Sequence, residues 1–252
     1  FNLARVIGPA LGGIVFGLWG PAACFTINGI SFVAVIAAYA VISIPAVHER
    51  QRETGILEEM KEGFRFVITR RSLLTLTFLA FAGTFLGMPL FTMLPVVAKK
   101  TFGLGAQGLS LFQADYGVGS VIGAIFVASS SYAVKKGKIA LLMQLLFAFC
   151  LVFFGLSRNL ASSVIIAFVA GACIVGVVSL YSSLVQLMVT DAMRGRVMSI
   201  FMLAFRGGMP LGNLVAGYVA QRWSISIALA VNGAVLAAVA LIFILKGTDL
   251  DS

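Results

Sequence analysis

The sequence predicts an all-α protein, a polytopic bundle of about eight transmembrane helices. Composition is the first reason, because 60% of the 252 residues are hydrophobic and 11% are charged, whereas charged residues make up about 25% of a typical soluble domain. Spacing is the second reason. The charges leave several long apolar windows, and a bilayer core needs roughly 20 apolar residues for each helical crossing. The chain therefore requires lipid as its solvent.

Turn residues and charges divide these windows into spans. Gly20 and Pro21 predict a turn after the first span, and Pro45 predicts the end of the second. The later spans are separated by short charged segments. The predicted spans cover residues 3–19, 22–44, 72–96, 109–133, 139–157, 161–189, 197–221 and 225–245.

The segment 48–71 is the only long loop, and its apolar residues repeat with helical spacing. One face of the predicted helix carries Leu57, Met60, Phe64, Val67 and Ile68, and the other carries Glu58, Glu59, Glu62 and Arg65. Such an amphipathic helix is typical of a segment that lies on a membrane surface. An ordinary solvated linker helix is the alternative interpretation.

The basic residues predict the orientation of the chain in the membrane. A net charge of +9 would suggest nucleic-acid binding in a soluble protein, but here the basic residues lie between the apolar windows, so we expect no nucleic-acid partner. If Phe1 faces the cytoplasm, the inner segments hold thirteen of them and the outer segments four. The positive-inside bias therefore predicts that both ends of this chain are cytoplasmic.

An internal repeat indicates a duplicated architecture. The segment LARVIGPALGGIVFG, residues 3–17, aligns without gaps with LAFRGGMPLGNLVAG, residues 203–217. The next spans also align, NGISFVAV from Asn28 with NGAVLAAV from Asn232, which favours a structural role for these two asparagines. Transporter folds are commonly built from such repeats, and six-helix halves are one arrangement. The repeat thus predicts four further spans upstream of this chain.

Two stretches resemble a known family. The letters GPALGG, Gly8 to Gly13, resemble the core of the antiporter motif of drug:proton antiporters in the major facilitator superfamily, although Ala4 stands where the fuller motif has glycine. The stretch RGRVMSIFMLAFRGGMPLGNLVAG, Arg194 to Gly217, resembles the subgroup of the enterobactin exporter and the macrolide efflux proteins. The superfamily's acidic loop signature appears only as VKKGK, residues 134–138, without its aspartate.

The resemblance implies an arrangement and an activity. Residues 1–47 would be the last two transmembrane helices of an N-terminal half, 48–71 a cytoplasmic linker with an amphipathic helix, and 72–252 a C-terminal six-helix half. The bend at Gly8, Pro9, Gly12 and Gly13 would lie between the halves and restrict leakage. We expect a multi-pass monomer in the bacterial cytoplasmic (inner) membrane that binds a small-molecule substrate and protons.

Glycines spaced four apart predict close helix packing. Such pairs clear one helical face so that another backbone can approach. Static packing and sliding between helices are both compatible with this pattern. The pairs are Gly8 with Gly12, Gly13 with Gly17, Gly119 with Gly123, and Gly208 with Gly212.

Two charged residues inside the predicted spans are candidate functional residues. Arg206 lies about 15 Å into its span, near the midplane, where an arginine is costly unless it faces a wet cavity or a partner. Substrate contact and a structural role are equal alternatives. Asp115, roughly 10 Å deep, is a candidate for proton cycling, and hydration near the outer mouth is its alternative.

Other polar residues in the same spans are candidates for lining a cavity. They are Gln113, Tyr116, Tyr181, Gln186 and Asn213, and each is individually more often an interhelical contact than a ligand. The lone His48, the three unclustered cysteines and the absence of a phosphate-loop motif predict no enzyme, metal or cofactor.

Together these observations predict a secondary active transporter. It would export a small, amphipathic organic molecule by alternating access, and proton coupling is what the family resemblance implies. The alternative is a membrane-embedded permease or scaffold subunit of a larger complex without its own coupled transport.

Overall fold

The computed structural model describes residues 2–42, 55–129 and 135–247. The side chains of residues 2–21, other than Val15 and Trp19, and that of Ile56 lie outside this description. Within the described ranges the chain is helical and has no strand. The helices are α1 Asn2–Val41, α2 Ile56–Thr69, α3 Arg71–Gly87, α4 Pro89–Lys100, α5 Gly105–Ser129, α6 Lys136–Leu156, α7 Leu160–Leu187, α8 Asp191–Arg222 and α9 Ile225–Leu245.

Seven segments of the described chain are long and apolar enough to cross a membrane, which confirms the predicted all-α transmembrane bundle. The last six of them agree with the sequence expectation because charged or turn residues end each apolar window. Helices α3 and α4 form one crossing, Arg71–Lys100, interrupted at Met88. Pro89 has no N–H to continue the helical ladder, and it begins α4 as a favoured first-turn residue.

The start of the chain differs from the prediction. The turn expected at Gly20 and Pro21 is absent, and α1 is one helix of 40 residues. Nearly all side chains from Ala22 to Ile42 are exposed, so no tertiary packing opposes continuation of the helix, and the residues on both sides are apolar. The helix makes its contacts with α5. At about 1.5 Å per residue it is about 60 Å long, twice the thickness of a hydrocarbon core.

The linker helix α2 is confirmed, and its contacts with the bundle are specific. The guanidinium of Arg196 at the start of α8 donates to Glu62 and, at 3.3 Å, to Glu59. A Cβ at Gly63 would lie 3.1 Å from the Cβ of Arg196, so the two helices are closely apposed there. Val67, at one edge of the predicted apolar face, is buried in the core. The location of α2 on the membrane surface stays a prediction.

Two glycine seams bring helices together, as the four-residue spacing predicted. A Cβ at Gly119 or Gly123 of α5 would clash with the carbonyl oxygen of Phe168 or Ala172 of α7. A Cβ at Gly212 of α8 would clash in the same way with Phe85 of α3. These seams place α3, α5, α7 and α8 around a common space.

Buried polar side chains tie the helices together across the core. Asn232 of α9 donates from Nδ2 to the carbonyl oxygen of Leu86 at 3.1 Å, in keeping with the structural role expected for it. Gln144 of α6 donates from Nε2 to the carbonyl oxygen of Leu79 at 3.4 Å, and its Oε1 accepts from the hydroxyl of Tyr181. Tyr181, a candidate cavity residue, is therefore a core residue.

The loops also gather at the ends that the charge pattern predicts. Thr101 and Arg158, from two segments predicted to be external, line one small cavity together with Ser226 at the start of α9. At the opposite end, the α2 linker contacts the start of α8 through Glu59, Glu62 and Arg196. The alternation of inner and outer segments is thus consistent with the fold.

Candidate functional site

A cavity of about 570 Å³ lies among α3, α5, α7 and α8. It borders the break at Met88. Its size falls within the range of about 300–1,000 Å³ that is usual for small-molecule sites. The lining residues are Thr84, Met88, Tyr116, Ile174, Val175, Val178, Ser179, Met202, Phe205, Arg206 and Met209.

Arg206 is the charged residue of this lining. It is solvent-exposed in the structure, and none of the ion pairs within the described chain involves it. A guanidinium at membrane depth is costly unless it is hydrated or paired. Its five N–H donors suit a carboxylate, phosphate or other acceptor group. The cavity therefore has one strong site for a hydrogen-bond acceptor.

Tyr116 joins Arg206 in the cavity, as the sequence analysis proposed for both. Its ring packs against Phe91 of α4 with centroids 4.4 Å apart and planes tilted by 59°, which fixes the ring at the cavity wall. The hydroxyl of Thr84, also at the wall, is bonded to the carbonyl oxygens of Ala80 and Phe81 at 3.1 and 3.0 Å. Thr84 thus contributes mainly its methyl group.

Most of the remaining wall is apolar and deformable. Met88, Met202 and Met209 come from three separate positions around the cavity. Methionine side chains are flexible and polarisable, so they adapt to ligands of different shape. Phe205 adds a rigid aromatic surface. This combination of one guanidinium with an apolar, methionine-rich wall suits amphipathic molecules of varied outline.

A second cavity of about 400 Å³ shares Ser179 with the first. The other polar residues that α7 contributes to it lie three, four and seven positions after Ser179, on one side of the helix. We call Ser179, Ser182, Ser183 and Gln186 the serine face. This face extends about 10 Å along the helix toward Arg194, at the end predicted to be cytoplasmic.

Besides Tyr181, three of the predicted cavity residues do not line either cavity. Gln113 is exposed elsewhere on α5. Asp115 and Asn213 each have one side-chain oxygen that is buried without a hydrogen-bond partner among the described residues. Asp115 forms no ion pair with Arg206 within the described chain. The structure thus brings together Arg206 and Tyr116 but not the other three.

The antiporter-motif residues lie in α1. Helix α1 continues through Gly8, Pro9, Gly12 and Gly13, but their side-chain surroundings lie outside the description. The packing of α1 against α5 is the contact that the structure provides for this helix. The bend stays a prediction.

Several lining residues could not be predicted from the sequence. Methionines and valines inside apolar windows carry no individual signal, so Met88, Met202 and Val178 were not predictable as cavity residues. The serine face was visible as a helical repeat of hydroxyl residues in SLYSSLVQ, residues 179–186. Only Gln186 of that face was named as a candidate.

Comparison with known proteins identifies similar proteins. A family model described as transmembrane secretion effector matches residues 1–249. The chain is 27% identical over 222 residues to the multidrug efflux pump Tap of Mycobacterium tuberculosis, covering 86% of this chain and 52% of that pump. It is 21% identical over 248 residues to macrolide efflux protein A of Streptococcus pyogenes, covering 96% of this chain and 60% of that protein. The chain thus spans little more than half the length of these relatives.

The family match leaves only the last three residues of the chain uncovered. It agrees with the transmembrane bundle, and the second relative bears out the resemblance to the macrolide efflux subgroup. We conclude that the chain belongs to the transmembrane secretion effector family of major facilitator transporters, and not to a class of enzymes.

Proposed function

We propose that this chain is the C-terminal part of a secondary transporter that exports a small amphipathic organic molecule. The observation that carries the proposal is the cavity at Arg206, where a guanidinium without an ion pair among the described residues meets a wall of methionine and phenylalanine side chains. A substrate would place an acceptor group on Arg206 and its apolar part against Met202, Phe205 and Met209. The efflux proteins to which the chain is similar support the outward direction.

We further propose alternating access as the mechanism, between a half ending near residue 47 and the six-helix unit 72–252. The glycine seams support this idea because small residues allow helices to shift with few side-chain clashes. The break at Met88 supports it as well, since a helix interrupted beside the cavity can change its angle at low cost. The bend at Gly8 to Gly13 would control how the halves meet.

Proton coupling is the proposed energy source. Asp115 is the candidate proton carrier because one of its carboxyl oxygens is buried without a partner among the described residues. A protonated carboxyl would tolerate that position better than a charged one. The protein would lie in the bacterial cytoplasmic membrane as a monomer, with both ends of this chain inside.

Reconstituted transport tests this proposal. The purified full-length protein is reconstituted in liposomes, and a proton gradient is imposed across their membrane. Uptake of a macrolide and of an anionic amphipathic dye is then measured for the protein molecules whose cytoplasmic side faces outward. Gradient-dependent uptake that a protonophore abolishes is the expected result. Transport that ignores the protonophore would remove proton coupling. Complete lack of transport by the protein alone would favour a subunit that depends on other proteins.

A further inference from the structure

Helix α2 has an apolar stripe that the described part of the bundle leaves uncovered. Leu57, Met60, Phe64 and Ile68 are 67%, 49%, 54% and 46% exposed. Their spacing of three, four and four residues places them on one side of the helix. We call these four residues the linker stripe. Val67, three positions after Phe64 and seven after Met60, is 2% exposed, so the bundle covers the helix along one edge of this stripe.

The docking of α2 fixes which way the linker stripe points. Gly63 lies against the backbone of Arg196, and Arg196 binds Glu59 and Glu62. These contacts hold one side of α2 against α8. The linker stripe lies beside this docked side. Met60, at its near edge, borders a cavity of about 510 Å³ against α8, and Leu57 and Ile68 lie farther round the helix from α8.

The position of α2 in the chain places the linker stripe at the level of the membrane surface. A single residue, Arg70, separates α2 from α3, and α3 begins a membrane crossing at Arg71. The polar region of a bilayer extends about 5–8 Å beyond each side of the hydrocarbon core. The C-terminal end of α2 is joined to this crossing, and Glu59, near its other end, is bound by Arg196 at the start of the crossing Asp191–Arg222. Both ends of α2 therefore lie within or next to that region.

The charges of α2 are divided between its sides. Lys61 is four positions after Leu57 and Arg65 is three positions before Ile68, so both border the stripe where it meets the polar face that also carries Glu58, and all three are exposed. On the side of α2 that packs against α8, Glu59 and Glu62 form ion pairs with Arg196. The guanidinium of Arg70 stacks over the ring of Phe66 at 4.0 Å. The edge of the linker stripe therefore carries two cations that no ion pair within the described chain neutralises.

We propose that the linker stripe, with Lys61 and Arg65, binds anionic phospholipid of the inner leaflet. The four apolar side chains enter the boundary between headgroups and acyl chains, which is how amphipathic helices bind membranes. The stems of Lys61 and Arg65 follow the apolar surface while their charged ends reach the phosphates. Each such charge adds to the attraction toward an anionic leaflet. Charge complementarity thus selects anionic over zwitterionic lipid.

Tryptophan quenching by brominated lipids tests the location of the linker stripe. The test uses the full-length protein with its other tryptophans replaced by phenylalanine. A single tryptophan is introduced by Phe64→Trp or, as the control, by Glu58→Trp. Each variant is reconstituted in phosphatidylglycerol vesicles that contain brominated lipid. Strong quenching at position 64 and weak quenching at 58 are expected. Unquenched, blue-shifted emission from Phe64→Trp would show that protein covers the stripe. Unquenched, red-shifted emission would show that the stripe is exposed to water. Either result overturns the proposal.

Lipid competition tests the selectivity. Phosphatidylglycerol and phosphatidylcholine retained by the purified full-length protein are compared by native mass spectrometry for the wild type and for Lys61→Gln with Arg65→Gln. The double variant is expected to lose preference by about fivefold for each charge removed. Lys99→Gln with Lys100→Gln removes the same charge at the opposite end and serves as the control. Equal losses in the two double variants would overturn a specific role for Lys61 and Arg65.

Discussion

The side chain of Arg206 is the part of the cavity whose removal should be most informative. Replacing it with alanine deletes the charged donors but leaves the apolar wall unchanged. A hydrogen bond to a charged group contributes about 1.5–3 kcal/mol, so Arg206→Ala should weaken apparent affinity by about tenfold to hundredfold. The measurement is the concentration dependence of efflux by the full-length protein, with thermal unfolding as a check on folding.

Arg206→Lys is the matched control for this prediction. Lysine keeps the charge and loses the planar fork of donors, so partial retention of affinity would indicate recognition by charge. Normal efflux by Arg206→Ala would instead show that this arginine only packs in the bundle.

Gln144 is predicted to matter for stability and not for substrate contact. Gln144→Leu removes the acceptor of the Tyr181 hydroxyl inside the core, and an orphaned buried donor costs about 1–3 kcal/mol. The double variant Gln144→Leu with Tyr181→Phe removes both partners and should lose less stability than the single variant. Thermal unfolding in detergent measures both. A double variant that is less stable than Gln144→Leu would contradict this interpretation of the pair.

Sequence reasoning was most successful for residues whose chemistry conflicts with lipid. Arg206 was recognisable because a charge at the midplane requires a reason, and it lines the cavity. Asp115 raised the same expectation but lies outside the cavity lining, because depth along a helix does not specify which side of the helix a residue occupies. Met88, Met202 and Met209 blend into apolar windows, so their role depends on tertiary structure.

At the scale of elements, the seam between α3 and α8 gives a sharp prediction. Gly212→Ala would push a Cβ into the carbonyl of Phe85, and overpacking of this kind typically costs about 1–3 kcal/mol. Gly217 of the same helix has open space around its Cβ position in the described structure. Gly217→Ala should therefore be neutral or stabilising, since alanine is the better helix former by about 1 kcal/mol. Thermal unfolding of the two variants in detergent compares them directly.

The serine face of α7 is predicted to be a wet surface. Helical hydroxyls in this chain often bond to a carbonyl one turn back, as Thr77 does at 2.7 Å and Ser199 does at 2.9 Å. The hydroxyl of Ser183 makes no such bond among the described contacts, so we expect water to reach it. Ser183→Cys, in a full-length protein without other cysteines, should react with an impermeant thiol reagent in inverted vesicles. Val185→Cys, on the buried side of α7, is the control and should not react.

The helical bundle was predictable from the sequence because the lipid bilayer restricts the backbone conformations that can cross it. Every backbone polar group in lipid must be bonded within the segment, so each apolar window became a helix with bounds close to those expected, and α9 matches the predicted 225–245 span. The start of the chain differs, because the first two predicted spans form one continuous helix. Residues 22–42 have little packing in the described structure, so local helix preference overrides the turn that Gly20 and Pro21 predicted.

Membrane threading is the property of the whole molecule on which the proposed function depends. The distribution of basic residues predicts that α2 and the start of α8 are cytoplasmic. Independently of that charge pattern, the ion pairs of Arg196 with Glu59 and Glu62 place both segments at one end of the bundle. Arg158 lies at the other end, beside Thr101 and Ser226. Two independent lines thus agree on which segments share a side.

Single-cysteine labelling of the full-length protein in intact cells tests this threading. An impermeant thiol reagent added outside should label Arg158→Cys at once, because α6 and α7 are joined there by a loop with charged and polar residues. Lys136→Cys, at the opposite end of α6, should react only after the membrane is permeabilised. Since α6 is 21 residues and about 30 Å long, the two positions cannot both be external if it spans the bilayer. External labelling of Lys136→Cys in sealed cells would invert or abolish the threading, and the direction of transport would have to be reassigned with it.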